Sequence, residues 1–215
     1  MNCEIKTIIL GGHSGNCYLI KSPLGFVLID TGGKSKRRKL EDELEKAGCN
    51  SQNFHLIILT HGDFDHSGNC AYLKEKYNVR IAMHVRDEKM IRTGDVFYNR
   101  KNRKSLLKRI TAPFFDIKRF EPDFNIDEGY SLSRYGINAR IIYLPGHSKG
   151  SIGILTDDGD LFCGDIFTNI QKPQLNAIMD DEMDAKASIK KLKNYLIDRI
   201  YPGHGSPFPL QTLNI

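Results

Sequence analysis

Apolar and β-branched residues fall in short runs separated by glycine- and proline-bearing turns, and these runs alternate with stretches of helical spacing. IKTIIL, NCYLI and GFVLID read as opening strands, divided by GGHSGN and by Ser22-Pro23-Leu24-Gly25. Lys34 to Gly48 (KSKRRKLEDELEKAG) has helical spacing and good helix formers, with Gly48 as its stop. HLIILT is nearly continuous in apolar residues and predicts a strand covered on both faces. A helix through AYLKEKY and a strand at VRIAMH follow. From about 86 to 120 the pattern loosens into an irregular, partly helical and lid-like insertion. Strands return at ARIIYLP, SIGILT and DLFCGD, the last two joined by the hairpin signal Asp157-Asp158-Gly159. A helix over about 181–196 and a short strand RIYP close the pattern. Such alternation predicts α/β layering in a single domain spanning residues 1–215.

Composition narrows this picture without changing it. The 215 residues include 40% hydrophobic residues and 19 glycines, ordinary for a globular chain. No stretch approaches the roughly 18 to 20 uninterrupted apolar residues of a membrane helix. The five cysteines form no C-x-x-C pair. With no basic start or cleavage site at the N-terminus, they predict a reduced, cytoplasmic protein. The net charge of +5 hints at an anionic partner or at nothing. Its two basic clusters are Lys34 to Lys39 and Arg100 to Lys104. Glu41, Asp42, Glu43 and Glu45 offer the first cluster partners along its own helix, so a nucleic-acid surface is not favoured.

Candidate chemistry concentrates in THGDFDHSGN. It packs His61, Asp63, Asp65 and His66 directly behind the buried strand HLIILT, between Gly62 and Gly68. Imidazole and carboxylate together suit zinc, and also iron or manganese. Three further segments set one potential ligand beside a glycine at a predicted strand end: Pro145-Gly146-His147, Cys163-Gly164-Asp165 and Pro202-Gly203-His204. Four of the seven histidines thus occupy comparable positions, which points to one shared site.

With these motifs in this order, the sequence resembles the metallo-β-lactamase-fold superfamily. The resemblance runs from the opening strands through Asp30-Thr31-Gly32 to Pro202-Gly203-His204. It implies a four-layer αβ/βα sandwich, two mixed sheets face to face with outer helices, and two divalent metal ions at one edge. Residue by residue, it assigns His61, the position of Asp63 and His147 to one ion. It assigns Asp65, His66 and His204 to the other, with Asp165 bridging. Asp30 is implied as a brace for the ligand loop; a turn aspartate capping the next helix is a reading of equal standing and compatible with that role. The chain departs from the family's H-x-H-x-D-H at Asp63, where hydrolytic members usually carry His. Being shorter, Asp63 needs the loop to draw in, or a water to bridge. Its charge shifts preference towards iron or manganese, with zinc still the first expectation.

The resemblance implies a metal-dependent hydrolase in which Asp65 orients a metal-activated water against an ester, lactone, thioester or phosphoester bond. The alternative is a di-iron redox enzyme near the flavodiiron branch, served by a separate electron donor. A non-catalytic module on a decayed fold is disfavoured by the survival of the motif. Substrate contacts are less defined. His13 sits in a turn near the mouth of the site, and Lys149 stands where many relatives have proline. A solvated surface residue is the favoured reading for Lys149 and at least as good a one for His13. The expected partner is a small molecule, with an anionic one favoured by the metals first and by the net charge second. With eleven residues after His204, the C-terminal helical domain of glyoxalase II-like enzymes is not expected.

Overall fold

The computed structural model describes residues 3–98, 100–101 and 118–213. Its first sheet runs β1 (Glu4–Ile8), β2 (Cys17–Ser22), β3 (Gly25–Ile29), β4 (Phe54–Ile58), β5 (Arg80–Met83) and β6 (Phe124–Asn125), in that order. β1 to β3 form an antiparallel meander, and β3 to β6 are parallel. The second sheet has the order β12 (Phe208–Pro209), β11 (Arg199–Gly205), β9 (Asp160–Asn169), β8 (Ile152–Thr156), β7 (Ala139–Tyr143), with β10 (Gln174–Leu175) on β9. Here only β11 and β9 pair in parallel. Both sheets are mixed, as expected.

Three apolar clusters separate four layers. Between the sheets, Ile20, Val27, Ile29 and Ile58 meet Ile141, Ile154 and Phe162. Behind the first sheet, helices α1 (Arg37–Lys46) and α3 (Cys70–Tyr77) bury Leu40, Leu44 and Leu73 against Leu28 and Ile57. Behind the second, α5 (Glu182–Leu192) brings Leu192 onto Ile142, Leu161 and Ile200. β4 alternates between two of these clusters, so its continuous apolar run serves both faces.

Several boundaries move. Helix α4 (Val85–Thr93) is a regular element at the start of the expected insertion, with Met90 and Ile91 buried. Most of the remainder, including Phe114, Phe115 and 102–104 of the second basic cluster, lies outside the described residues. α5 stops at Leu192 rather than 196, since Asn194 and Tyr195 turn back by short-range hydrogen bonds. β9 and β11 are longer than their apolar runs. Each continues through its candidate ligand, because the parallel pair absorbs Pro202 and Gly203 as register shifts. The acids of α1 also find other partners. Among the described residues, Glu41 and Glu45 meet Lys76 of α3, and Glu43 meets Lys6 of β1 and Lys46. All five cysteines are free thiols, and no described helix is long and apolar enough to cross a membrane.

Candidate metal centre

Strand ends deliver the candidate residues to one edge of the sandwich. Beyond β4, the chain passes Thr60 and His61 and enters the one-turn helix α2 (Phe64–Ser67), which aims Asp65 and His66 at a common point. His147 follows β7, while Asp165 and His204 project from the irregular stretch of β9 and β11. His61 and His66 are fully buried and His147 nearly so. The backbone must come very close here. A Cβ on Gly203 would lie 2.0 Å from Asp165 Oδ1, and one on Gly15 would lie 2.6 Å from the His66 ring.

All seven residues expected in the ligand set converge. His61 Nε2 and His147 Nε2 stand 3.5 and 2.9 Å from Asp63 Oδ2. Asp65 Oδ2 lies 3.7 Å from His66 Nε2 and 3.2 Å from His204 Nε2. Asp165 spans the two groups, with Oδ1 at 3.3 Å from His66 and Oδ2 at 3.8 Å from His147 and 3.5 Å from His204. Donor atoms held about 2.1 Å from a tetrahedral ion stand about 3.4 Å from one another, so these separations suit cation cavities. Three such groups, His61/Asp63/His147, Asp65/His66/His204 and His61/His66/Asp165, each keep their donor atoms within 4.8 Å.

Hydrogen bonding fixes which nitrogen faces inward. Asp30, in a left-handed turn at φ 57°, accepts from the Thr60 amide at 2.8 Å and its hydroxyl at 2.7 Å. With its proton spent on Asp30, the Thr60 hydroxyl accepts from His61 Nδ1 at 2.9 Å. Asp30 Oδ2 also accepts from His66 Nδ1 at 2.9 Å, and the Ile178 carbonyl accepts from His147 Nδ1 at 2.6 Å. Each Nε2 is thereby the nitrogen turned to the centre, and it offers its lone pair there once the ring is neutral, the state a metal requires. His61 Nε2, His66 Nε2 and Asp165 Oδ1 are buried without a hydrogen-bond partner, an arrangement rare unless an ion or water completes it. The donor set therefore fits divalent cations.

The ionisable groups of the cluster shift one another's pKa values. Burial opposes ionisation of Asp165, yet His66, His204 and His147 outweigh it and hold the carboxyl well below its usual range. Burial likewise opposes charge on His66, but Asp165, Asp65 and Asp30 push its pKa well up. His204, by the same balance with Asp165 and Asp65, rises to about 9. A cation entering the cluster would displace these protons.

Asp63 is short, yet reaches. Its Oδ2 faces the two imidazoles while its Oδ1 accepts from Arg100 Nη2 at 2.5 Å. Burial raises the Asp63 pKa, but the Arg100 guanidinium and the two histidines bring it well below the carboxylate norm. Arg100 also donates to the His147 carbonyl. It therefore balances the extra charge that Asp63 brings, a role its place in a basic run did not disclose. Asp87 was equally hidden within α4. Fully buried, it accepts from the amides of Gly62 and Gly150 and from the Ser148 hydroxyl, tying the His61 loop to the His147 loop. Asn16 does the same for the His204 loop, donating to Pro202 and Gly205 carbonyls.

Two cavities flank the cluster on either side of Phe64. The first, about 210 Å³, is lined by Phe64, Val96, Phe97, Ile178 and Met179 beside Asp63 and His147. The second, about 620 Å³, is lined by His13, Lys34, Lys36, Phe64 and Asp65. His13 is thus among the residues that line the larger cavity. Lys149 lines neither cavity; its carbonyl accepts from the Tyr143 hydroxyl.

The sequence profile of the Metallo-beta-lactamase superfamily matches residues 10–204, spanning every residue of the cluster. The chain belongs to this superfamily. Like other metallo-β-lactamase-fold proteins, it is similar to "Probable metallo-hydrolase MJ0888" of Methanocaldococcus jannaschii, at 30% identity over 90% of this chain and 89% of that one. It is 31% identical to "Hydroxyacylglutathione hydrolase GloC" of Haemophilus influenzae, over 77% of this chain and 72% of that one. Among solved structures, TTHA1623 in a di-iron-bound form superposes with TM-score 0.72 at 25% identity, covering 96% of each chain. The protein is thus a metallo-hydrolase of the metallo-β-lactamase fold, and the fold implies divalent metal ions.

Proposed function

We propose that this metallo-hydrolase cleaves an ester, lactone, thioester or phosphoester bond of a small molecule at two divalent ions held by the cluster. The observation that carries the reading is a set of imidazoles whose Nδ1 atoms are committed outward while the Nε2 atoms converge on shared carboxylates. His61, Asp63 and His147 would hold one ion, Asp65, His66 and His204 the other, with Asp165 between them. Zinc suits this set first, and three carboxylates make iron or manganese serviceable. When bound, the ions supply a water of lowered pKa and an electrophile for the substrate oxygen. Asp65 orients that water. Asp30 and Thr60 hold His61 and His66 in the required tautomers, and Arg100 offsets the charge of Asp63. Five free thiols suit a cytoplasmic setting.

The test compares wild type with Asp65→Ala and His66→Ala, each loaded with zinc, iron or manganese, on esters, lactones, thioesters and phosphodiesters. Wild-type turnover of one class, lost by about a hundredfold or more in both variants, is expected. A fully loaded wild type that turns over none of them removes the hydrolytic reading. A second reading is favoured by the Asp63 carboxylate and by the relative solved with two irons: oxygen or nitric oxide reduction with a separate electron donor. Protein from its native source carrying iron and little zinc, and consuming oxygen with a reductant, would put that reading first.

A further inference from the structure

We infer that the two ion sites are unequal: Arg100 is a tethered, permanent cation that keeps the His61/Asp63/His147 site weak and exchangeable, while the Asp65/His66/His204 site holds its ion tightly. This rests on the two-ion reading above and deepens it. Asp63 divides its carboxylate. Its Oδ2 faces His147 and His61 at 2.9 and 3.5 Å, and its Oδ1 lies 2.5 Å from Arg100 Nη2. A histidine paired with a carboxylate loses its charge when its proton leaves and the ring ligates an ion. A guanidinium does not deprotonate in a protein, so the charge of Arg100 stays beside any ion that Asp63 binds. At the effective dielectric of a partly buried site, that repulsion outweighs the roughly 10–100-fold in affinity that a ligand's hydrogen-bond partner typically contributes. The net effect of the guanidinium is therefore to weaken the site.

Arg100 is also held so that it does not swing clear. Its side chain is only 9% exposed, and Nη1 donates to the His147 carbonyl. The next residue pins the backbone. The Lys101 amide donates to both oxygens of Asp180, at 2.9 and 3.1 Å, and Lys101 Nζ pairs with Asp181. The amides of Asp180 and Asp181 both donate to the carbonyl of Gly146, the residue before His147. The cation is thus fastened to the loop that carries a ligand of the first site. The second site is built differently. Among the described residues, the carboxylates of Asp65 and Asp165 form ion pairs with histidines alone. Asp30 adds a negative charge directly behind His66, whereas Nδ1 of His61 and of His147 rests on a neutral hydroxyl and a neutral carbonyl. Each of these differences favours a cation at the second site.

The experiment titrates the metal-free full chain with zinc against chromophoric chelators and counts bound zinc by elemental analysis. Wild type is expected to take up two equivalents whose affinities differ by about a hundredfold or more. Asp63→Asn should lose the weaker equivalent and keep the tighter one, which assigns them. Arg100→Gln keeps a donor for Asp63 and removes the charge. It should tighten the weaker equivalent by about tenfold or more and move the tighter one by less than about threefold, so the tighter one also reports that the variant is folded. Arg100→Lys keeps the charge without the fork and should leave the weaker equivalent weak. Equal affinities in wild type, loss of the tighter equivalent in Asp63→Asn, or a weaker equivalent that Arg100→Gln leaves unchanged or loosens overturns the inference. So does equal tightening in Arg100→Lys and Arg100→Gln, since loosening of the segment rather than loss of charge would then be the cause. Turnover is read separately on the same preparations. Two unequal equivalents without hydrolysis of any ester, lactone, thioester or phosphodiester leave the inference standing and remove the hydrolytic reading; hydrolysis with two equal sites does the reverse.

Discussion

Replacing Asp30 by Asn tests whether the inward-facing lone pairs of the cluster are set from outside it. Asp30 is 2% exposed and sits at φ 57°, a conformation Asn tolerates, so the backbone should accept the change. The hydrogen bonds do not. If the new amide keeps its oxygen on the Thr60 amide, its NH2 group faces the Thr60 hydroxyl and His66 Nδ1, which both donate to Asp30 in the native protein. The hydroxyl must turn round to accept, sending its proton to His61 Nδ1. His66 must likewise offer a lone pair at Nδ1. Both imidazoles then carry their single proton on Nε2, the atom that faces the cluster, and ligation requires moving it to an Nδ1 that no longer has an acceptor. Changes of this kind behind a metal site cost about 10–100-fold in metal affinity, or about 1.4–2.7 kcal/mol. Exchange of charge-assisted for neutral hydrogen bonds should also cost about 1–2 kcal/mol of fold stability. Zinc titration against a chromophoric chelator measures the first, and urea unfolding of the metal-free protein the second. A folded Asp30→Asn protein that binds zinc within about twofold of wild type would refute the tautomer argument.

Other expectations follow from the same geometry. Gly203→Ala drives a methyl onto Asp165 Oδ1, at 2.0 Å in the native backbone, so the variant should fold but lose at least one equivalent of bound metal by elemental analysis. Asp87→Ala leaves the Gly62 and Gly150 amides unpaired in the interior and should lower unfolding free energy by about 3 kcal/mol, read from urea melts. For pH, His204 rises to about 9 in the metal-free protein: burial lowers its pKa, and Asp165 with Asp65 more than reverses this. A folded pKa above the unfolded value of about 6.5 gives stability that is complete below that value and lost as pH climbs through about 9. The urea midpoint of metal-free protein should therefore fall from neutral to alkaline pH, and zinc loading should flatten the slope; a level metal-free profile contradicts it.

How much of this was legible beforehand depended on chain distance. The stretch from His61 to His66 could be read directly, because a ligand loop behind a buried strand is a local pattern with few structural uses. His147, Asp165 and His204 were legible as a repeated placement beside glycines, although β9 and β11 in fact run through Asp165 and His204. That error has a plain cause. Apolar periodicity marks where side chains are buried, whereas the parallel pairing of β9 with β11 crosses Pro202 and Gly203 by register shifts and resumes at His204 opposite Thr168. The acids of α1 illustrate the same limit, since helical spacing offers partners that neighbouring α3 and β1 supply instead.

The amino-acid order by itself determined the layered fold, the motif loops and the unusual carboxylate at Asp63, because each follows from local pattern or residue identity. Only the tertiary structure decided what that carboxylate does. It brought Arg100 from beyond α4 onto Asp63 and Asp87 from α4 beneath two loops, and it turned the Nδ1 atoms of His61, His66 and His147 outward. It also divided the basic run, leaving Lys34 and Lys36 at the mouth of the site while Lys39 and Arg37 pack elsewhere. Charge and proton placement are properties of neighbours in space, and for these residues the neighbours lie far apart along the chain.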